Sequence, residues 1–200
     1  MTTLSDMIFN SLKTIHEMMY DRGFIEWSEK LKKLDNKCVK DMVVRKNVFH
    51  FDIEDEDGKQ LRVLYALQQK FKLSEVKKYL DTDFDLTLLI LKEKISTTNT
   101  KSIDEMRKTT NDIQVFQLKE LQFNITRHVL VPKHELLGWD KENEVETILE
   151  SYQLKSRYQL PLILKSDPVA KYLNAKPGNL VRVIRSSPTS GQYVLYRCCM

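Results

Sequence analysis

Residues 167–199 read DPVAKYLNAKPGNLVRVIRSSPTSGQYVLYRCC. Asp167-Pro168 is a sharp helix start, because aspartate accepts from the free N–H groups of a first turn and proline there surrenders no needed donor. The helix is expected to run through Tyr172. Pro177-Gly178 suits the centre of a type II turn, where glycine takes a positive φ without a Cβ clash. That turn launches a strand-like run at 180–185, a Ser/Pro/Gly turn at 186–191 reverses it, and 192–198 returns. The stretch predicts a short capped helix followed by an antiparallel hairpin.

Upstream the composition changes. All five prolines lie at or beyond Pro132, which suggests two differently built parts, 1–119 and 120–200. The first part carries 21 basic and 20 acidic residues and the second 11 and 8. Residues 160–200 hold Lys165, Lys171, Lys176, Arg182, Arg185 and Arg197 against Asp167 alone. The whole-chain charge of +4 is small for an autonomous nucleic-acid-binding domain. With 42% hydrophobic residues over 200 positions the chain can bury a core, which excludes a disordered tail or fibrous repeat. No run of 18 apolar residues occurs and the start lacks signal-peptide features, so a soluble, intracellular protein is expected, with no membrane partner. Cys38, Cys198 and Cys199 cannot form a disulfide framework or a CxxC metal site, so reduced thiols are expected.

The first part reads as α/β. Leu4, Met7, Ile8, Leu12, Ile15, Met18 and Met19 recur at helical steps, and Gly23 stands where a helix-ending glycine belongs. Trp27, Leu31 and Leu34 mark a second helix. Residues 42–44 and 48–53 turn strand-like, and Asp57-Gly58 offers a hairpin turn into 61–65. Ser74 is expected to cap a helix through Leu80, followed by a buried strand at 84–91, a short helix at 102–108 and a strand at 113–118. Beyond Leu121 the pattern shifts, with an acidic helix at 142–152 whose Val145, Ile148 and Leu149 share a face. The fold class expected is α+β.

Few motifs carry chemistry. Placing Gly58 at position six of a calcium loop puts Ile53 and Leu64 where oxygen ligands are required, so the acidic run 52–57 reads as a solvated tip. His16-Glu17 lacks the second histidine of a zinc protease, since Tyr20 occupies that place. His128 and His134 have no metal-ligand spacing. The one enzymatic alternative is a metal-dependent nuclease, in which Asp57 and Glu75 would hold Mg²⁺ and Lys77 orient water. That triplet belongs on a strand, whereas 71–80 looks like an amphipathic helix. No glycine-rich phosphate loop and no nucleophilic triad can be assembled, so no catalytic residue, metal or cofactor is expected.

The last eighty residues resemble the assembly domain of the fifth common subunit of eukaryotic DNA-dependent RNA polymerases, a subunit that also has an archaeal homologue. The resemblance is carried by Leu121-Gln122-Phe123-Asn124-Ile125-Thr126-Arg127-His128, Leu130-Val131-Pro132-Lys133-His134, Tyr152-Gln153-Leu154-Lys155, Gln159-Leu160-Pro161, Asp167-Pro168-Val169-Ala170-Lys171-Tyr172, Gly178 with Val183-Ile184-Arg185, and Ser190-Gly191-Gln192-Tyr193-Val194-Leu195-Tyr196-Arg197. More weakly, Ile15-His16-Glu17-Met18-Met19-Tyr20-Asp21-Arg22-Gly23-Phe24, Val48-Phe49-His50-Phe51 and Leu88-Leu89-Ile90-Leu91 are similar to that subunit's jaw domain.

The resemblance implies a non-catalytic scaffold: a nuclease-like jaw without nuclease activity over 1–119, and an assembly domain over 120–200. The assembly domain would dock on the largest polymerase subunit, amid other polymerase subunits, with His134, Arg182, Arg185, Tyr193, Tyr196 and Arg197 as contacts. Arg and Tyr are enriched at interface cores. Asp167, Pro168, Gly178 and Gly191 would be structural. Lys92, Lys94 and Lys101 would lie near downstream duplex DNA and attract it weakly. Asn174 stands where the family usually has glycine and Ser186 where it has proline; Gly138-Trp139 look inserted, and 96–99 lack the jaw loop's proline. Such divergence also fits a copy encoded by a large DNA virus, which would place it in host cytoplasm and virion; a cellular copy would be nuclear.

Overall fold

A computed structural model describes residues 3–33, 48–68, 73–80, 84–93, 95–109, 112–187 and 191–200. The chain divides into two compact units, Met1–Phe123 and Asn124–Met200.

In the first unit the apolar stripe of the N-terminal segment forms α1 (Leu4–Asp21), started by a reciprocal Thr3/Asp6 capping box. Gly23, at φ +89°, lets the chain turn directly into α2 (Ile25–Lys32). Leu34 and 42–44 lie outside the described residues. The hairpin read at Asp57-Gly58 pairs β1 (Val48–Glu54) with β2 (Gln60–Ala66), and β3 (Leu86–Leu91) and β4 (Asp112–Gln117) follow in parallel, giving the order β1-β2-β3-β4. The crossovers carry α3 (Leu73–Leu80) and α4 (Thr97–Thr109). Ser74 lies inside α3, not at its cap. α4 is longer than read, because Ser96 serves its first turn: its Oγ accepts from Asn99 N–H at 3.4 Å and its carbonyl from Thr100 N–H at 3.0 Å.

β3 is buried throughout, as its nearly all-apolar composition requires of a strand covered on both faces. On one face Leu64, Ala66, Leu89, Leu91 and Ile113 pack with Val76 and Leu80 of α3 and Ile103 of α4. On the other, Phe49 stacks on Tyr65 at 4.9 Å, and the buried Tyr65 hydroxyl meets Ser11 Oγ of α1 at 2.8 Å. Burial pushes the Tyr65 phenol far above its ordinary pKa, so it stays neutral.

The second unit has a four-stranded sheet ordered β5-β7-β8-β6, formed by β5 (Lys133–Leu137), β6 (Leu162–Ile163), β7 (Leu180–Ser187) and β8 (Gly191–Cys199). β7 and β8 make the expected antiparallel hairpin; residues 188–190 of its turn lie outside the described residues. β5 and β6 were not foreseen. β6 pairs in parallel with β8 only at Cys198 and Cys199. α5 (Glu142–Ser151) covers one face and α6 (Pro168–Tyr172) packs at the other. The architecture is mixed α and β in both units, the coarse class expected.

Candidate functional site

Side chains directly opposite one another across a strand pair share a face, so the register sorts the second sheet into two sets. Glu135, Leu137, Leu180, Arg182, Ile184, Val194, Tyr196 and Cys198 lie on one face, and His134, Val181, Val183, Arg185, Tyr193, Leu195, Arg197 and Cys199 on the other. Leu137, Leu180 and Cys198 pack with Val145 and Ile148 of α5, while Val181, Val183 and Cys199 pack with Ala170 and Ala175. Both coverings stop partway. β7 is buried at its start and exposed by Arg185, and β8 is exposed from Gly191 to Val194 and buried only at Cys198 and Cys199. The distal half of the hairpin is bare on both faces.

The residues singled out from the sequence divide accordingly. Arg182 is engaged within the unit: Nη1 donates to Glu135 Oε2 at 3.2 Å, Nη2 donates to Glu144 of α5, and its guanidinium carbon lies 5.7 Å from the Tyr196 ring centre. Tyr196 meets Tyr152 edge-on at 6.0 Å. The pair latches α5 to the sheet. Lys133, 2.7 Å from Glu135, and then Arg182 hold the Glu135 carboxyl below its usual value against partial burial. His134 is half-buried, its Nδ1 donating to the Pro132 carbonyl at 2.7 Å. Arg197 donates to the Leu162 carbonyl at 3.3 Å. Arg185 and Tyr193 are cross-strand partners on the bare half, Tyr193 being 50% exposed.

Asp167 Oδ1 accepts from Val169 N–H at 2.9 Å and Ala170 N–H at 3.3 Å, with Pro168 in the first helical position. Gly178, at φ +89°, closes the type II turn in which Asn179 N–H donates to the Lys176 carbonyl at 2.9 Å. A Cβ there would also lie 3.0 Å from the Trp139 ring. Gly191 opens β8 at φ +70°. At the base of the hairpin Cys198 and Cys199 of β8 pack into the two cores, and loss of water pushes their thiols up in pKa. Apolar residues on the bare surface escaped the sequence reading. Ile184 and Val194 extend the hairpin's apolar face, Leu162 of β6 and Leu164 just after it are exposed, and Val129 and Leu130 are exposed before β5. An alternating face that is only half covered could have flagged Ile184 and Val194.

In the first unit Lys92 follows β3 at the carboxyl end of the parallel strands and Lys101 lies on α4; both are exposed. Lys94 lies outside the described residues. The nuclease alternative is overturned by placement. Glu75 and Lys77 sit on α3 rather than on a strand, and Glu75 is bonded to Gln68, beyond the far end of β2 from Asp57. The seven residues of β2 span about 20 Å, so one Mg²⁺ cannot bridge the two carboxylates.

Residues 123–199 match the family described as RNA polymerase Rpb5, C-terminal domain. Across 195 residues, 94% of each chain, the sequence is 30% identical to the Dictyostelium discoideum protein named DNA-directed RNA polymerases I, II, and III subunit rpabc1. The chain belongs to the Rpb5 family of RNA polymerase subunits. A second relative of this family, the RPABC1 subunit of Caenorhabditis briggsae, is 27% identical over 92% of both chains. The Rpo5 subunit of Pyrococcus abyssi is 47% identical over 76 residues, which is 38% of this chain but 88% of the archaeal one. Rpb5 proteins are structural components of DNA-directed RNA polymerase, and this chain is a non-catalytic subunit rather than an enzyme.

Proposed function

We propose that the second unit docks on the largest polymerase subunit through the bare half of the β7–β8 hairpin, and that the first unit is a jaw beside downstream duplex DNA. The observation that carries the docking reading is the archaeal match. A segment about the length of the second unit makes up most of an Rpo5 subunit, so the attachment surface of such a subunit must fit within one unit. In this chain Arg185 and Tyr193 on one face and Val194 on the other lie on the exposed distal half of the hairpin, of the Arg-plus-aromatic kind found at interface centres. Arg182, Tyr196, Arg197 and His134 continue those two faces toward the covered half of the sheet.

The jaw reading rests on the nearly balanced charge of 1–119 and on Lys92, Lys94 and Lys101 as phosphate contacts. It includes a nuclease-like fold emptied of nuclease chemistry. It also places the protein with its polymerase, in the nucleus for a cellular enzyme or in host cytoplasm and virion for a viral one. Affinity purification of tagged chain followed by mass spectrometry is expected to recover the largest subunit with the wild type, and not with the pair Arg185→Glu and Tyr193→Ala or with a chain truncated from residue 160. Undiminished recovery with the hairpin variants overturns the docking surface. Isolated protein is expected to bind duplex DNA poorly at physiological salt, and tight binding by fluorescence anisotropy would contradict a jaw that acts only within the complex.

A further inference from the structure

The loop between the 3₁₀ turn Ile125–Arg127 and β5 holds the most exposed large apolar side chains among the described residues, Val129 at 96% and Leu130 at 85%. Isolated surface aliphatics are ordinary, but these are adjacent and sit on a loop held by its own hydrogen bonds. Asn124 is buried; its Oδ1 accepts from Thr126 N–H at 3.0 Å and from Thr126 Oγ1 at 2.6 Å, and its Nδ2 donates to the Tyr172 hydroxyl at 2.9 Å. His128 N–H donates to the Ile125 carbonyl at 3.2 Å. The His128 carbonyl accepts from Val131 N–H at 2.9 Å, and its Nδ1 accepts from Leu130 N–H at 3.2 Å. His134 ties down Pro132. Ordering costs are therefore met by folding, before any partner arrives.

The adjoining sequence favours one sign. No acidic residue lies between Glu120 and Glu135, while Arg127 and Lys133 flank the two aliphatics. Lys133 is paired with Glu135 yet leaves most of its side chain in water. An apolar tip inside a basic rim is complementary to an apolar pocket rimmed by carboxylates.

We infer that the Val129-Leu130 loop is a second anchor, inserted into an apolar, acid-rimmed pocket on a neighbouring polymerase subunit. It lies on a different segment from the β7–β8 hairpin and makes the attachment two-pointed. The inference rests on the docking reading above. Two anchors on one rigid unit restrict rotation about either one, which a scaffold requires.

The test uses the full chain assembled into its polymerase. The pair Val129→Ser and Leu130→Ser is expected to leave the thermal melt of the free subunit unchanged, since neither side chain packs internally, and to weaken association roughly 100-fold. Arg127→Glu is expected to weaken it further and to flatten its dependence on salt. A photo-crosslinking residue in place of Leu130 is expected to join a polymerase subunit at a site containing apolar and acidic residues. Wild-type association of the serine pair, or a crosslink that stays within the chain, overturns the anchor. If the serine pair assembles normally while the hairpin variants do not, the anchor alone fails; if the hairpin variants also assemble normally, the docking reading fails with it.

Discussion

At the scale of single residues, the positions that break a local rule explain most. Asn174 adopts φ +57° just after α6, where Ala175 N–H returns to the Ala170 carbonyl at 2.9 Å and Asn174 N–H to Lys171 at 3.1 Å. This is the left-handed helix stop for which glycine is the usual residue and asparagine the usual substitute. The glycine that the resemblance leads one to expect there would meet the same conformational demand. Asn174→Gly is expected to be neutral or stabilising by a few tenths of a kcal/mol, and Asn174→Val to cost about 1–2 kcal/mol, read by chemical denaturation. Glu135 supplies a pH dependence. Its carboxyl is held below the usual 4.5 by Lys133 and then Arg182, so its stabilisation is fully present above 4.5 and is lost as pH falls through the depressed value. Glu135→Gln is expected to lower the melting temperature at pH 7 and to reduce the loss of stability as pH falls below 4.5, modestly because the pair is largely solvated.

At the scale of elements, the strand pair β1–β2 is fastened by one charged contact. Arg62 is 7% exposed and makes a two-pronged pair with Asp52 at 2.7 Å on both prongs, donates to the Tyr79 carbonyl at 2.9 Å, and stacks 4.0 Å from the Phe84 ring centre. Asp52→Ala strips the main counter-charge from a buried guanidinium and is expected to cost about 2–3 kcal/mol, the lower side of such losses because Asp52 is 37% exposed. Urea unfolding with an unchanged slope would measure it. Elements specified by their own residues were legible: α1 by its apolar stripe and cap, β3 by its unbroken apolar run, α6 by Asp167-Pro168. Others were not. The first turn of α4, Thr97-Thr98-Asn99-Thr100, has no apolar period, and β5 and β6 exist through pairing with β7 and β8, whose residues lie tens of positions away. Long-range pairing leaves no local pattern for a sequence to display.

At the scale of the molecule, each unit owns a separate core. Residues 124–200 expressed alone are expected to melt in one cooperative transition by circular dichroism, as a unit with its own sheet and two covering helices should; a broad, featureless melt would show that the unit needs the rest of the chain. The charge after residue 160, six bases against one acid, drew the sequence reading to this unit, yet much of that charge is spent internally, with Arg182 on α5 and Arg197 on Leu162. The surface left over is aromatic and aliphatic, which no charge count could show. One consequence concerns the subunit before it joins its enzyme. Among the described residues β8 has a neighbouring strand on the β6 side only at Cys198 and Cys199, so there its stretch from Gly191 to Arg197 carries an open row of backbone donors and acceptors beside Tyr193 and Val194. Such an edge templates pairing between copies. A cell making this chain in excess of its polymerase would face a self-adhesive orphan, and balanced synthesis becomes a matter of solubility as much as of stoichiometry.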